Sequence, residues 1–225
     1  MGETASRIVL FALVAGASPI AIFATLAVLT SRRGRANGIA FLAGFMLGQS
    51  AAFLAAYLVG TAATTDGEAN EHVAAGMELA FGLALLALAW PQWRRAGPEA
   101  GPGPSRTKAL LARLKGLRPA TAFSAGTLLG VGGIKRLSIT IVAGAHVGIA
   151  GLLPVEDLAL GLLYILVAGL LVWLPVSVYL VAGAHADAWM ASAEDWLTAN
   201  ERRLTFVSTL LFGFLLTTDA LVRLV

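Results

Sequence analysis

The chain lacks cysteine altogether, and only 13% of its 225 residues are charged. The absence of cysteine excludes disulfides, thiolate metal sites and cysteine nucleophiles. An average soluble domain carries about 25% charged residues, so about half of the usual charge is missing. The three histidines are scattered over different segments, which argues against a metal site. Because no nucleophile elbow, phosphate loop or zinc-protease motif is present, we expect no enzyme activity and no cofactor.

The residues that are present are mostly apolar. Hydrophobic residues make up 58% of the chain, and the mean hydropathy is well above zero. They are grouped in runs long enough to cross a bilayer core of about 30 Å. We therefore expect an all-α integral membrane protein with six transmembrane helices, near residues 7–30, 37–62, 72–93, 120–147, 157–183 and 203–224.

The connectors between these runs alternate in charge. Among the connectors, only the first, third and fifth contain lysine or arginine, whereas the charged residues of the second and fourth are all acidic. Because basic loops stay in the cytoplasm, we expect a multi-pass protein of the inner (plasma) membrane with both termini outside. The same rule accounts for the pI near 9.7, so no nucleic-acid partner is expected.

The two halves of the chain resemble each other weakly. Three short matches occur in the same order: Gly16–Ile20 with Gly130–Ile134, Tyr57–Val59 with Tyr179–Val181, and Leu79–Gly82 with Leu210–Gly213. Each half holds three helices, an odd number, so the halves must have opposite topology, as in many secondary transporters. We predict a 3+3 inverted repeat of residues 1–93 and 120–225, joined by a basic cytoplasmic linker, 94–119, that contains an amphipathic helix.

Helices 1 and 4 are predicted to be broken. Pro19 removes a backbone donor from helix 1, and Gly132 and Gly133 loosen helix 4 at the equivalent place. Backbone groups freed at such breaks need a protein partner or a polar cavity. Close helix packing is the alternative role of the glycines.

Lys135 and Arg136 are the only basic pair inside an apolar run. Each charge at a helix centre costs about 2.5–3.5 kcal/mol, which favours a functional role. Beside exposed backbone N–H groups the pair would hold phosphate, sulfate or carboxylate; the alternative is that both side chains snorkel to the cytoplasmic interface. The predicted substrate site comprises Ser18, Pro19, Gln49, Gly132, Gly133, Lys135 and Arg136.

Two acids inside the predicted helices are candidates for proton relay or for pairing with the bases. They are Glu78 in helix 3 and Asp219 in helix 6. An intramembrane acid is a functional candidate by default. The alternative is that each lies near a helix end and is simply solvated.

Several segments resemble a known family: Ser18–Ile20, Arg35–Gly44, Gln92–Arg94, Pro175–Gly183 and Trp196–Asn200. They are similar to the actinobacterial glycolipid-addressing proteins, also called sulfolipid-addressing or Sap-like proteins, over nearly the whole chain. The resemblance implies the six-helix inverted repeat of the LysE exporter superfamily and a role in moving glycolipids or peptidoglycolipids toward the cell envelope. Members often carry Asn-Pro-Lys-Asn in helix 4. Here the best match is Gly133–Arg136, which keeps only the lysine.

We expect an exporter or flippase-like protein for an anionic or glycosylated envelope lipid, with the tails kept in the bilayer. The expected partners are membrane lipids, the lipid substrate, a second copy in a homodimer, and a larger lipid-export machinery. Two alternatives stay open: a LysE-type exporter of amino acids or ions, and a non-transporting accessory subunit of a lipid-export complex. Export of a cation would place acids at the helix breaks, whereas this chain has bases there.

Overall fold

The computed structural model describes residues 2–64 and 118–182, together with a few single residues between 189 and 210. The two continuous ranges form seven α-helices and contain no β-strand. The helices are α1 (Gly2–Gly16), α2 (Pro19–Leu29), α3 (Gly34–Thr64), α4 (Pro119–Val131), α5 (Ile134–Ile149), α6 (Pro154–Ala168) and α7 (Leu170–Ala182). The predicted helices 72–93 and 203–224, apart from Leu210, lie outside the described residues, and so does most of the linker 94–119.

One helix can cross a membrane alone, and six others form three bent pairs. α3 is long and apolar enough to span a bilayer over Gly34–Thr61. The pair α1–α2 bends by 62°, α4–α5 by 64° and α6–α7 by 68°, and each pair has the length and composition of one span. The described residues thus provide up to four spans. For the described residues the prediction of an all-helical membrane protein is confirmed, while the six-helix count, the inverted repeat and the domain limits stay predictions.

The first break lies where Pro19 predicts it. α1 ends at Gly16 and α2 begins at Pro19, because the first position of a helix is where a missing N–H costs least. The Ser18 carbonyl accepts the N–H groups of Ala21 and Ile22, which starts the new helix. The chain therefore turns sharply without leaving the Ser18 carbonyl unpaired.

The second break uses the conformational freedom of glycine. Gly132 has a φ of 87°, a value that L side chains rarely adopt, and its N–H donates to the Leu128 carbonyl to close α4. Gly133 is extended and precedes α5. The glycine break predicted in helix 4 is therefore present.

A third break interrupts the segment for which the sequence predicts one helix over 157–183. α6 ends at Ala168, and α7 begins at Leu170 after a turn at Gly169. Pro175 provides no N–H for the Leu171 carbonyl, so the first turn of α7 is weakened just beyond a glycine. The pair Gly169 and Pro175 was the sequence signal for this bend.

Glycines bring α3 against both halves of the α4–α5 pair. Gly44 and Gly48 on α3 face Phe123 and Thr127 on α4, where a Cβ atom on either glycine would strike backbone. Farther along α3, Gly60 lies against Ala145 of α5. Residue numbers increase together along both partners, so α3 runs in the same direction as the α4–α5 pair. Small-residue spacing of this kind allows close backbone approach between membrane helices.

The breaks divide the interior into two apolar cores. One core draws its buried side chains from α2, α4 and α7, and the other draws its from α1, α5 and α6. α3 contributes to both, with Phe45 in the first core and Phe53 in the second. Gln49 lies on α3 between these two phenylalanines and is fully buried. A polar layer therefore separates two apolar layers at the level of the breaks.

Candidate functional site

Arg136 occupies this polar layer from the first turn of α5. It is 5% exposed, and its Nη2 donates to Gln49 Oε1 at 2.8 Å and to the Ala168 carbonyl at 2.5 Å. The guanidinium carbon lies 4.5 Å from the centroid of the Phe45 ring, a position that attracts a cation to the ring face. Gly132 makes room for the arginine, because a Cβ there would lie 2.6 Å from Arg136 Cβ.

Lys135 reaches the first break from the same helical turn. Its Nζ donates to the Ala17 carbonyl at 3.3 Å. Ala17 follows the last residue of α1, and Ala168 is the last residue of α6. Carbonyls at helix C-termini carry partial negative charge and lack intrahelical donors. Each cation therefore contacts one such carbonyl, which compensates for its unfavourable place near the N-terminus of α5.

The three breaks meet at these two side chains. A Cβ on Gly16 would lie 3.1 Å from the Ala168 carbonyl oxygen, so the ends of α1 and α6 are in close contact. Arg136 binds at the end of α6, and Lys135 binds just beyond the end of α1. We call the set formed by Lys135, Arg136, Gln49 and the carbonyls of Ala17 and Ala168 the junction.

Two buried donors in the junction have no acceptor among the residues that the structure describes. They are Arg136 Nε and Gln49 Nε2. No carboxylate forms an ion pair with Arg136 within the parts of the chain that the structure describes, so only neutral oxygens and a ring offset its charge. A buried cation without a counter-charge costs several kcal/mol. The junction therefore has both the charge and the vacant donors to bind an oxyanion.

A second layer of hydrogen bonds, formed by Thr140 and Tyr164, holds the backbone of Arg136. The Thr140 hydroxyl donates to the Arg136 carbonyl at 2.8 Å and lies 2.8 Å from the Tyr164 hydroxyl. The Tyr164 ring stacks on Phe53 with centroids 5.0 Å apart. Thr140 and Tyr164 are both fully buried. This layer joins α5 to α6 one helical turn beyond Arg136 and holds the Arg136 backbone carbonyl.

The structure gathers most of the predicted substrate residues at one level. Gln49 and Arg136 are bonded to each other, and Ser18 and Pro19 adjoin the Ala17 carbonyl that Lys135 contacts. Gly132 and Gly133 form the turn immediately before the two bases. The Ser18 side chain makes no capping bond to α2. Glu78 and Asp219 lie outside the described residues.

Sequence reasoning missed one carbonyl of the junction, that of Ala168, and two side chains next to the junction, Phe45 and Tyr164. Phe45 reads as an ordinary core residue, and the Ala168 carbonyl is backbone, which carries no side-chain signal. Tyr164 was also missed. Its polar oxygen in the middle of the apolar run of α6 was a signal, because a buried tyrosine hydroxyl usually has a hydrogen-bond partner.

The comparisons with known proteins bear on the whole chain. No curated protein and no solved structure matches it significantly. A family model described as Sap, sulfolipid-1-addressing protein, matches residues 8–222, a range that includes every break and every residue of the junction. The resemblance found in the sequence is thus confirmed, and the chain belongs to the Sap, sulfolipid-1-addressing protein, family.

Proposed function

We propose that this protein is a membrane transporter that exports or flips an anionic or glycosylated envelope lipid, and that the junction holds the lipid's anionic group. One observation carries the proposal. Arg136 is 5% exposed, has no paired carboxylate among the described residues, and lies where three helix breaks meet. A cationic side chain inside a membrane is energetically costly, and such residues usually pair with another group or mark a substrate pathway.

The chemistry of the junction favours an oxyanion. Its vacant groups are the donors Arg136 Nε and Gln49 Nε2, and a phosphate or sulfate supplies several acceptor oxygens to such a donor pair. The description of the family model names a sulfolipid, and a sulfated head group has this chemistry. The apolar surface of the helices would leave the acyl tails in the bilayer.

The broken helices support a transporter in preference to a passive anchor. Transporters place substrate sites where interrupted helices meet near the midplane, and here a polar layer separates two apolar cores. The α1–α2 and α4–α5 bends, 62° and 64°, occur at positions aligned in the two sequence halves. This similarity supports the proposed six-span inverted repeat, with both termini outside the plasma membrane. We propose no enzymatic step.

The first test is lipid retention by the protein purified in mild detergent, measured by mass spectrometry. We expect the wild type to retain an acidic lipid or glycolipid, and Lys135→Ala/Arg136→Ala to lose it by about tenfold or more, since each charge-assisted hydrogen bond contributes roughly 1.5–3 kcal/mol. The matched control is Arg33→Ala/Arg35→Ala, which removes two cations from exposed positions near the start of α3. Retention unchanged in a folded junction variant would refute the site.

Movement of lipid is tested separately in proteoliposomes. Fluorescent phosphatidylglycerol in the outer leaflet is bleached with dithionite, and transbilayer exchange is followed as the fraction that becomes accessible. We expect exchange with the wild type and loss of exchange with Lys135→Ala/Arg136→Ala. Retained lipid without exchange would instead favour an accessory subunit of a larger export complex, and no retained lipid would favour a small-solute exporter.

A further inference from the structure

A cavity separate from the junction lies on the side of the bundle, between α3 and α6. Its volume is about 290 Å³, and it opens toward the outer surface of the helices. We call it the lateral groove. It is lined by Ser50, Phe53, Leu54 and Tyr57 of α3 and, among others, by Asp157 and Leu162 of α6.

The lateral groove is apolar along its length and polar at one end. Leu54, Leu158 and Leu162 are each more than half exposed at its edges, on a surface that a membrane protein turns toward lipid. Gly161 has no side chain to fill the floor, where a Cβ would lie 3.1 Å from the Phe53 ring. Between Asp157 and Ile165 the groove follows about 12 Å of α6, at 1.5 Å per residue.

The polar end contains a carboxylate oxygen without a partner. The Tyr57 hydroxyl donates to Asp157 Oδ2 at 2.9 Å. Asp157 Oδ1 is shielded from solvent and accepts no hydrogen bond from the described part of the chain. An ionised carboxylate can only accept hydrogen bonds, so Oδ1 requires a donor that these residues do not supply.

We propose that the lateral groove binds an acyl chain of a membrane lipid whose head group carries hydroxyls, and that one of these hydroxyls donates to Asp157 Oδ1. The proposal rests on the lipid-transport function proposed above and adds a second contact region for that lipid class. The junction has donors that lack an acceptor, whereas this end of the groove has an acceptor that lacks a donor. A sugar or glycerol hydroxyl fits the second requirement, and a choline head group does not.

The experiment uses the full-length protein in phosphatidylcholine nanodiscs. Two probes carry the same diazirine-labelled acyl chain, one on glucosyl diacylglycerol and the other on phosphatidylcholine. After illumination, crosslinked peptides from α3 and α6 are quantified by mass spectrometry. We expect the glucosyl probe to label groove residues about tenfold more than the choline probe, from one hydrogen bond to a charged group. Asp157→Leu should reduce this labelling to the level of the choline probe.

Matched variants separate specific binding from ordinary lipid contact. Gly161→Leu and Ser50→Leu fill the groove and should abolish the preference for the glucosyl probe, whereas Ala159→Leu adds the same side chain at an exposed position of α6 outside the groove and should preserve it. The proposal is overturned if both probes label the groove equally in the wild type, or if Asp157→Leu leaves the preference unchanged. Two groove-filling variants are used so that the test still gives a result if one of them misfolds.

The labelling of the lateral groove does not depend on the junction. The glucosyl probe is uncharged, so Lys135→Ala/Arg136→Ala should retain preferential groove labelling even where it loses acidic lipid. If the junction behaves as proposed and the groove shows no preference, this inference fails and the proposed function stands. If the groove shows the preference and the junction variant keeps its acidic lipid, the junction assignment fails instead.

Discussion

The junction and the lateral groove are built in opposite ways from the same helix. Both lie against α3: the junction at Gln49, and the groove from Ser50 to Tyr57. The junction is closed, cationic and surrounded by tightly packed backbone. The groove is open, apolar and closed at one end by a tyrosine–aspartate pair.

The difference between the junction and the groove indicates which part of the fold is rigid. Around the junction, glycines on α3 and α4 meet backbone atoms that cannot move aside without shifting a helix. In the groove, the atoms nearest to a Cβ on Gly161 belong to the ring of Phe53, and the end of a side chain can shift at lower cost than backbone. Polar chemistry thus resides where the fold is most constrained, and the apolar cavity lies where it can adapt. Three pairs of substitutions test this contrast.

The largest effect is expected from placing leucine at Gly44. A Cβ there would strike the Phe123 carbonyl, so α3 and α4 would have to separate. Overpacking of this kind costs about 1–3 kcal/mol, and more where the backbone must move; we therefore expect at least about 3 kcal/mol and mostly aggregated protein. Size-exclusion recovery after graded heating in detergent measures the loss.

Gly161→Leu in the groove is the counterpart of Gly44→Leu. Because the new side chain meets only an aromatic ring and open groove, we expect Gly161→Leu to lower stability by less than about 1 kcal/mol. Equal losses at Gly44 and Gly161 would contradict the rigid-junction interpretation. A still larger loss at Gly161 would show that the groove, not the junction, is the constrained region.

A smaller effect is expected from removing the polar partners in the junction. Gln49→Leu leaves Arg136 with one fewer acceptor, and we expect a loss of about 2 kcal/mol. Arg136→Met with Gln49→Leu replaces the polar contact by apolar groups, a change that is often neutral or stabilising. The double variant should therefore be more stable than Gln49→Leu, yet retain no acidic lipid. Thermal unfolding of Gln49→Leu, Arg136→Met and the double variant completes a double-mutant cycle. If the losses of stability are strictly additive, Arg136 is present for stability.

Much of this architecture follows from the sequence. The apolar runs predict helices where α3 and the three helix pairs lie, Pro19 predicts the first break, and Gly132 and Gly133 predict the second; the break in α6–α7 was not predicted. Gln49 and Arg136 were assigned to one site although 87 positions separate them, because polar groups in a membrane gather around a common cavity.

The rest depends on contacts that leave little trace in sequence. The Ala168 carbonyl is available only because α6 ends there, and the bend at Gly169 places it beside Arg136. Tyr57 and Asp157 are 100 positions apart, and Asp157 reads as a loop acid at the start of a helix. The groove itself exists because Gly161 lacks a side chain, and a single glycine in an apolar run does not predict a cavity.

The smallest effect is expected from deleting one tyrosine hydroxyl at each site. Tyr164→Phe removes a fully buried hydroxyl bonded to Thr140 and should cost about 1 kcal/mol, the usual net value of such a bond. Tyr57→Phe removes the half-buried donor to Asp157 Oδ2 and should cost less than about 0.5 kcal/mol, because water or a lipid hydroxyl can replace it at the polar end of the groove.

Tyr57→Phe and Tyr164→Phe should differ more in lipid binding than in stability. Without the Tyr57 hydroxyl, both Asp157 oxygens lack a donor among the described residues, so we expect labelling by the glucosyl probe to stay equal or rise. Tyr164→Phe touches only the layer beneath Arg136, so it should leave groove labelling unchanged and weaken retention of acidic lipid. Weaker labelling in Tyr57→Phe would mean that the tyrosine orients the carboxylate for its ligand, and the groove would then be as preorganised as the junction.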